Sequence, residues 1–342
     1  MNKELLTQSY DFNLPDELIA KFPASPRDHA KLLVYNRKID EITHAHFYDL
    51  EKFIPKNCAL IFNDTKVIKA RLFGKKESGG KLELLINRPL DAYTINVYIR
   101  GKVKISTKIF FDDELSAQVT KLDEDGSREV EFFHKTHKLR FEELLPIIDK
   151  IGHVPLPPYI DRSDDKSDES EYQSVFAKQE GAVAAPTASL HFTPKQHAQI
   201  CKNFQHAYVT LHVGSGTFKP VDAKVITDHP MHSEYYSISD DAKSILDDAK
   251  VSILSIGTTS TRTIEFYDKH GKIQTGEANL FLHPQNKPSR VNHLLTNFHL
   301  PKSTLLMLVA SFVGVDKTQE LYKIAIQNNY RFYSYGDAML IL

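Results

Sequence analysis

The feature that most constrains the fold is a change of sequence pattern between about residues 66 and 150. Short runs there alternate apolar and polar residues, as half-buried strands do, at 81–85, 94–99 and 130–132. Glycine-containing turns separate these runs, as at Gly79-Gly80 and Asp125-Gly126. Short strands with regular glycine turns are typical of a small antiparallel barrel or sandwich.

The sequence on either side of this stretch indicates a different architecture. Its pattern predicts strands at 207–213, 252–256, 294–298, 332–335 and 338–341, and helices at 242–248 and 317–328. Strands that alternate with helices predict a layered α/β domain, here with a mixed sheet. The simplest arrangement is a discontinuous α/β domain, 1–65 and 151–342, with 66–150 inserted as a small antiparallel β-barrel domain.

Three further segments have a clear local pattern. Helical spacing after Pro15 predicts a short helix within 13–22. The polar, acidic stretch 161–171 lacks an apolar period and predicts a mobile loop. The longest apolar run, 305–315, is far shorter than the ~20 residues of a membrane span, so we expect it to be buried core.

The overall charge excludes a chain that is basic throughout. Forty-three lysines and arginines against 44 acidic residues give a net charge of −1, so any polyanionic partner must be held by a local patch. One candidate is 66–108, with a local charge of +8. This stretch is either a surface for a phosphate backbone or a set of solvated strand faces and charged edges, and both interpretations remain open.

The two cysteines and the amino terminus constrain the environment. Cys58 and Cys201 are far apart and outside any Cys-x-x-Cys motif, so neither a zinc site nor a disulfide is expected. Residues 1–8 lack the apolar core of a signal peptide. We therefore expect a cytoplasmic protein that does not span a membrane and holds no metal.

Chemistry-bearing residues collect where small residues follow predicted strands. The segment 181–193 is rich in glycine and alanine and contains His191, and the strand at 207–213 runs through His212 into Gly214-Ser215-Gly216. Loops after strand ends are the usual ligand sites of α/β sheets. No Gly-x-Gly-x-x-Gly or Walker motif is present, which argues against a nucleotide site of either type.

Three other clusters follow along the chain. In 257–262, a glycine, four hydroxyl residues and Arg262 follow a strand; they either bind an anion or simply cap a helix. Two histidines and a carboxylate in 229–234 favour an acid–base loop over a metal site. Asn297 and His299 occupy alternate strand positions and share a face.

Taken together, these blocks resemble one family, the S-adenosylmethionine:tRNA ribosyltransferase-isomerases of queuosine biosynthesis. The resemblance runs in order from residue 11 to the carboxyl terminus and is weakest at 86–150. It is carried by the blocks 63–72, 172–177, 181–193, 211–218, 231–234, 257–260, 296–307 and 335–339. The loop residues Pro284-Gln285-Asn286 depart from the family's usual Pro-Gly-Tyr.

The resemblance implies both a reaction and a fold. Members transfer and isomerise the ribosyl part of S-adenosylmethionine onto 7-aminomethyl-7-deazaguanine at the tRNA wobble position, which gives epoxyqueuosine, adenine and methionine. S-adenosylmethionine is consumed as a substrate, so no cofactor is expected. The implied partners are S-adenosylmethionine and the anticodon stem-loop of tRNA, and the implied state is a monomer. The family's α/β domain with an inserted barrel agrees with the pattern described above.

This chemistry needs a base near the sulfonium, a donor for departing adenine and a cradle for the methionine carboxylate. We expect His191 and His212 to act as acid and base, with Glu234 balancing the sulfonium or holding the amine. The expected substrate-binding residues are Asp64, Lys66, Arg71, Thr187, Gly214, Gly216, Thr217, Thr258, Thr259, Arg262, Asn297, His299 and Asp337.

Two rival functions remain distinguishable. A methyltransferase that uses S-adenosylmethionine would usually carry a glycine-rich loop after its first strand, and none is present. An RNA-binding module would concentrate its distinctive residues in the barrel, whereas the blocks above lie mostly outside it.

Overall fold

The computed structural model describes residues 2–214, 216 and 221–342. The strands are β1 Lys31–Asn36, β2 Glu41–His46, β3 Cys58–Asn63, β4 Thr65–Val67, β5 Arg71–Lys76, β6 Lys81–Pro89, β7 Thr94–Arg100, β8 Lys108–Phe110, β9 Leu115–Leu122, β10 Arg128–His134, β11 His137–Lys138, β12 Gln179–Ala182, β13 His206–Leu211, β14 Glu234–Ile238, β15 Ser252–Ile256, β16 Thr275–Ala278, β17 His293–Asn297 and β18 Ala338–Ile341. The α-helices are α1 Phe141–Ile151, α2 Asp168–Glu171, α3 Pro194–Asn203, α4 Asp240–Asp247, α5 Thr258–Lys269, α6 Thr304–Val313 and α7 Val315–Gln327. Short 3₁₀ turns connect many of these elements.

A large mixed sheet forms the body of the molecule. Among the described residues its strands follow the order β16-β14-β13-β3-β15-β17-β18-β1-β2. The central strands β13, β3, β15 and β17 run parallel to one another. Every residue of β3 is buried, as expected for a strand covered on both faces. The parallel strands end at one edge of the sheet, where β3 finishes at Asn63 and β13 at Leu211.

The inserted segment forms a closed antiparallel barrel. Over its described residues, β10, β7, β6, β5, β8 and β9 are neighbours in that order, and β9 pairs with β10 to close the ring. Alternate residues of β6, among them Leu82, Leu84 and Ile86, are buried in the barrel core. Leu144 and Ile148 of α1 join this core. The α/β body with a small inserted β-barrel confirms the predicted fold class.

The chain enters the barrel at Arg71 and leaves it at His153, and we call this pair of crossings the neck. Arg71 and His153 form an antiparallel bridge there, and the His153 N–H donates to the Arg71 carbonyl at 2.9 Å. Just before the neck, β4 pairs with β12 in a separate two-stranded sheet. The Gln173 side chain bonds both the N–H and the C=O of Val67, at 3.0 and 3.1 Å. The neck therefore holds the start of the barrel against the segment that leads to Gly181.

Several local predictions are confirmed and others are corrected. The strand 252–256 is β15, and the apolar run 305–315 forms α6 and the start of α7, with most of its residues buried. No strand forms at 332–335, because the carbonyl and N–H of Phe332 bond the 18–20 segment instead of a sheet. The segment 13–22 contains only the 3₁₀ turn Asp16–Leu18.

The acidic stretch 161–171 is also a correction, because it contains the short helix α2. Asp168, at the start of α2, is buried. Its carboxylate accepts two hydrogen bonds of 2.7 Å from Arg162 and one of 2.8 Å from the Tyr335 hydroxyl. A buried charge that is paired and hydrogen-bonded fixes the segment, which sequence polarity alone does not reveal.

Both cysteines are free thiols. In the part of the chain that the structure describes, we find no cluster of three or more histidine, cysteine or acidic side chains suited to a metal ion. None of the described helices combines the length and the apolar character required to cross a bilayer.

Candidate functional site

A cavity of about 430 Å³ lies where the barrel meets the large sheet. We call it the junction cavity; the residues that define it are Asn87, Asn96 and Asp125 from the barrel and His212, Gly214 and Glu234 from the sheet side. Gly216 also lines it. Its volume falls within the range of small-molecule sites, roughly 300–1,000 Å³. The cavity therefore brings together two of the acid–base residues expected from the sequence.

His212 follows the end of β13 and lines the junction cavity. Its Nδ1 lies 2.8 Å from the Thr65 hydroxyl, and its ring stacks on Tyr235 with 5.8 Å between ring centroids. Gly181 packs against the ring: a Cβ at this position would lie 2.9 Å from the His212 Cε1. Burial lowers the pKa of His212 below its usual value, so the imidazole is neutral at pH 7 and can accept a proton.

Glu234 begins β14 and is held by two donors. Its Oε1 accepts the Gly214 N–H at 2.9 Å, and its Oε2 accepts Nη1 of Arg262. Both side chains of the ion pair are less than a tenth exposed. The guanidinium of Arg262 also donates to the Leu280 carbonyl at 3.3 Å, while its Nη2 has no hydrogen-bond partner among the described residues. The pair places a fixed carboxylate in the cavity wall.

A smaller cleft of about 60 Å³ is lined by Val213, the residue between His212 and Gly214 of the junction cavity. We call it the threonine cleft; its defining residues are Thr187, Thr258, Thr259, Asn297 and His299. Helix α5 begins at Thr258, after Gly257 with a φ of +93°, so the first backbone N–H groups of the helix start at this cleft. The Thr259 hydroxyl accepts from Asn63 Nδ2 at 3.2 Å.

The threonine cleft does not include Arg262, which corrects the expected grouping. Arg262 lies one turn further along α5, and its guanidinium is bound to Glu234 instead. A cradle of Thr258, Thr259 and Arg262 is therefore not assembled. The sequence placed these residues together because they are adjacent in the chain, whereas Arg262 bonds Glu234 and the Leu280 carbonyl and lines neither cavity.

His191 lies beside the threonine cleft without being among its lining residues. It is only 4% exposed, and its Nε2 is 3.1 Å from Asn297 Oδ1. The Asn297 amide donates to the carbonyls of Tyr333 and Ser334 at 2.9 and 3.2 Å. Burial lowers the pKa of His191 to about 4, against the opposing effect of the Asn297 bond. The two side chains support the wall of the cleft.

His299 is also buried, and it lines the threonine cleft directly. Its Nε2 lies 2.8 Å from the Thr296 hydroxyl. Burial lowers the pKa of His299 to about 3, so the ring is neutral at physiological pH. It can offer a neutral hydrogen-bonding group but does not supply a proton near pH 7.

The remaining expected residues that the structure describes are not among those that line either cavity. Lys66 pairs with Glu180 at 2.7 Å, and Arg71 pairs with Glu83 at 3.1 Å and donates to the Leu156 carbonyl. Both basic groups are thus already paired, and their part in substrate binding stays a prediction.

Two of the expected acidic residues, Asp64 and Asp337, bond neighbouring groups of the protein itself. Asp64 accepts the Thr210 hydroxyl at 2.7 Å, and burial raises the pKa of its carboxyl. Asp337 is buried and accepts the backbone N–H groups of Lys31 and Arg331 at 2.9 and 2.7 Å. Thr217 lies outside the described residues.

Sequence reasoning missed the barrel side of the site. Asn87, Asn96, Tyr98 and Asp125 all line the junction cavity. The sequence pattern identifies Asp125-Gly126 only as a turn and 94–99, which contains Asn96 and Tyr98, only as a strand. An asparagine on a strand carries no sequence signal that distinguishes a cavity wall from a solvated face.

Comparison with known proteins adds a family and a fold. A family model described as "Queuosine biosynthesis protein" matches residues 7–341. The S-adenosylmethionine:tRNA ribosyltransferase-isomerase of Sulfurimonas denitrificans is 74% identical over 341 residues, which is 100% of this chain and 99% of that protein. The protein of the same name from Nitratiruptor sp. is 59% identical and covers 99% of both chains.

A crystal structure of an S-adenosylmethionine tRNA ribosyltransferase from Thermotoga maritima is also similar. It is 32% identical, covers 98% of this chain and 100% of its own, and superposes with a TM-score of 0.55. The similarity extends over the large sheet and the barrel alike.

Proposed function

The chain belongs to the S-adenosylmethionine:tRNA ribosyltransferase-isomerase family of queuosine biosynthesis, and on that premise we propose that the junction cavity and the threonine cleft form one active site. The protein is a transferase that moves and isomerises the ribosyl part of S-adenosylmethionine onto tRNA. One observation carries the assignment of the site: a neutral imidazole and an ion-paired buried carboxylate line the same 430 Å³ cavity.

His212 is the general base in this proposal. The sulfonium of S-adenosylmethionine makes the adjacent 5′ carbon acidic, and a neutral imidazole can remove that proton. In the tautomer that serves as a base, Nδ1–H donates to the Thr65 hydroxyl and Nε2 keeps its lone pair. The contact with Gly181 holds the ring in one place.

Glu234 balances positive charge beside the base. Arg262 and the Gly214 N–H bind the two oxygens of the carboxylate and fix its position. A carboxylate fixed in the cavity wall stabilises a sulfonium before the reaction and the attacking amine during it. Arg262 is a positioning residue in this scheme, because it acts through Glu234.

The threonine cleft receives one polar end of S-adenosylmethionine. At about 60 Å³ it is too small for the whole molecule. The N–H groups at the start of α5 suit the methionine carboxylate, with the hydroxyls of Thr258 and Thr259 beside them. His299 supplies a neutral hydrogen-bonding group for ribose or adenine. His191 and Asn297 position the wall, because their side chains bond each other and the neighbouring backbone.

The RNA partner fits the same scheme. The accepting base is 7-aminomethyl-7-deazaguanine at the wobble position of an anticodon stem-loop, and the products are epoxyqueuosine in tRNA, adenine and methionine. We propose that the enzyme acts as a monomer. We place the reaction in the cytoplasm, and S-adenosylmethionine is a consumed substrate rather than a cofactor.

Product analysis tests the function and the base together. With S-adenosylmethionine and an anticodon stem-loop that carries the modified base, the enzyme should release adenine and methionine in equal amounts. His212→Ala should lower kcat at least 100-fold, since general-base catalysis contributes roughly 10²–10⁴-fold.

A matched control is His197→Ala, which removes another half-buried imidazole, one that contacts Tyr208 and Cys201 instead of either cavity. It should keep near-normal turnover. Methylated RNA with S-adenosylhomocysteine as the products would refute the function. Full turnover by His212→Ala would refute only the assignment of the base.

A further inference from the structure

The outer surface of the barrel carries two exposed phenylalanine rings on neighbouring strands. Phe73 of β5 is 55% exposed and Phe110 of β8 is 45% exposed. Lys75 lies opposite Phe110 and two residues after Phe73, so the two rings are diagonal neighbours on one face. Such neighbours lie about 7–8 Å apart, which lets one extended ligand contact both rings. The barrel core does not need either ring, because Leu72 and Ile109 fill it from the opposite side of these strands.

The strand register places basic side chains around the two rings. Lys75 of β5 lies opposite Lys81 of β6. Phe73 lies opposite Glu83, and Glu83 lies opposite Arg100 of β7. We call the exposed side chains of these rows the barrel face; they are Phe73, Lys75, Lys81, Arg100 and Phe110.

The cations of the barrel face have no partner on the protein. Among the residues that the structure describes, the side chains of Lys75, Lys81 and Arg100 form neither an ion pair nor a hydrogen bond. Glu83, which lies between them, is paired with Arg71 at 3.1 Å. The acidic residues 112–114 follow β8 and bound the face on that side. Exposed cations around two rings favour an anionic ligand that has flat groups.

The barrel face is continuous with the junction cavity. Tyr98 lines the cavity and precedes Arg100 by two residues on β7, so both lie on the same side of the strand. Leu85 lies opposite Tyr98, and Glu83 lies opposite Arg100 and Phe73. Phe73 is therefore in the row next to the one that lines the cavity. A ligand that leaves the cavity across β7, β6, β5 and β8 reaches Phe73 before it reaches the other ring.

From this arrangement we infer that the barrel face binds unpaired nucleotides that flank the accepting base of the RNA. Two of their bases stack on Phe73 and Phe110, and the phosphates beside them bind Lys75 and Lys81. Aromatic rings accept any base, because every base has a π face, and basic side chains follow the backbone. A base-paired stem would leave both rings unused, since its bases are already stacked. This inference rests on the proposed function, because it takes the accepting base to enter the junction cavity.

Affinity for RNA, measured without S-adenosylmethionine, tests the barrel face directly. Phe110→Ala should weaken binding of an anticodon stem-loop that carries the modified base by about 5- to 150-fold, the range for one base stacked on an aromatic ring. At saturating RNA, its kcat and its KM for S-adenosylmethionine should equal those of the wild type, because Phe110 lines neither cavity. Phe110→Tyr keeps a ring and should bind RNA as the wild type does.

Removal of single bases from the RNA identifies the nucleotide that stacks. Each stem-loop of the set has one abasic nucleotide in the loop beside the accepting base, which keeps the phosphates and removes one flat group. One of these RNAs should bind the wild type and Phe110→Ala equally weakly, because the base that stacks on Phe110 is already absent. Phe73→Ala should show the same relation with a different position of the loop.

Phe22→Ala is the matched control. Phe22 is 53% exposed, close to the exposure of Phe73, but it lies outside the barrel, where the Arg162 guanidinium stacks on its ring at 4.3 Å. Its removal should leave RNA affinity unchanged. Lys75→Ala and Lys81→Ala should each reduce the slope of log affinity against log salt by about 1, because each removes one phosphate contact.

The outcomes separate the inference from the function on which it rests. RNA affinity within twofold of the wild type in Phe110→Ala overturns the inference, as does an abasic set in which no position is coupled to Phe110. A change of oligomeric state with unchanged RNA affinity would make the face a contact between copies of the chain. If the proposed function fails instead, the wild type releases no adenine even with RNA bound. Phe110→Ala decides the question if Phe73→Ala melts at a lower temperature, because Phe73 also packs on His153.

Discussion

At the scale of single residues, the site depends on the buried ion pair between Glu234 and Arg262. Glu234 keeps its place because Arg262 and a backbone N–H bind its two oxygens. Removing one partner of a buried ion pair leaves an uncompensated charge, which costs more than removing both. The two residues should therefore behave as one unit in stability as well as in catalysis.

We predict that Arg262→Met destabilises the protein by about 3–5 kcal/mol, the usual cost of leaving a buried charge unpaired. The double variant Glu234→Gln/Arg262→Met should recover most of this loss, because no charge is then buried. Urea unfolding of the two single variants and the double variant measures the coupling. If the single losses simply add in the double variant, the pair is not coupled.

A second prediction concerns stability as a function of pH and rests on three buried histidines. Burial lowers the pKa of His191 and His293 to about 4 and that of His299 to about 3. The unfolded chain, with values near 6.5, binds more protons between these limits. Stability is therefore fully present above pH 6.5 and is lost as the pH falls toward 4.

Each of these imidazoles should contribute up to about 1.4 kcal/mol per pH unit to the slope. Chemical unfolding between pH 5.5 and 6.5 isolates them from the carboxyl groups, which titrate at lower pH. His191→Gln keeps a hydrogen-bonding partner for Asn297 and should flatten the slope. A slope equal to that of wild type would show that His191 does not titrate on unfolding.

At the scale of elements, the site forms where neighbouring strands end. Asn63, the last residue of β3, accepts the N–H groups of Leu211 and Thr65 at 3.1 Å each. Its amide also donates to Thr259 at the start of α5. One buried side chain thus joins the strand that leads to His212, the segment that holds Thr65 and the helix that opens the threonine cleft.

Gly181 in β12 gives the prediction for this scale. Its φ is +148°, and an added methyl group would lie 2.9 Å from the His212 ring. Gly181→Ala should move the imidazole and lower kcat by about 10- to 100-fold, since a displacement near 1 Å can cost about 100-fold. Single-turnover adenine release measures the effect.

Gly271→Ala is the control for backbone strain alone. Gly271 has a φ of +80°, and a Cβ there would meet no described atom within 4 Å. This variant should lose some stability and keep its turnover. Equal losses of turnover in both variants would point to general destabilisation instead of displacement of His212.

The same elements show how far the sequence can be read. The bounds of β15 were predictable, and the end of β13 was predictable to within two residues, because small residues follow runs of buried strand residues there. The barrel side of the junction cavity was not, because Asn87 lies in a β-bulge and Asn96 reaches the cavity only in the closed barrel. Arg262 was assigned to its chain neighbours, since its pairing with Glu234 is a tertiary contact.

At the scale of the whole molecule, the net charge of −1 hides an uneven surface. Within 66–108, Lys66, Arg71 and Arg88 are paired with acids. Lys102 and Lys104 instead line a groove of about 590 Å³ on the barrel together with Lys76 and Arg128. Of the two interpretations of this stretch, the groove favours a phosphate surface and the paired residues favour a structural role.

We therefore predict that RNA affinity falls steeply with salt and that the groove accounts for part of the slope. Lys102→Ala and Lys104→Ala should each reduce the slope of log affinity against log salt by about 1. Lys66→Ala, which removes a lysine already paired with Glu180, should leave the slope unchanged. Equal slopes in all the variants would assign the groove lysines to ordinary solvated surface.

The bridge between Arg71 and His153 has a consequence for the engineering of this protein. Because the two crossings of the chain bond each other, removing everything between them leaves ends that are already adjacent, and a short turn is enough to reconnect them. The barrel is thus connected to the α/β domain by two adjacent crossings of the chain. Exchanging it between relatives would transplant one wall of the junction cavity while the acid–base groups stay with the recipient.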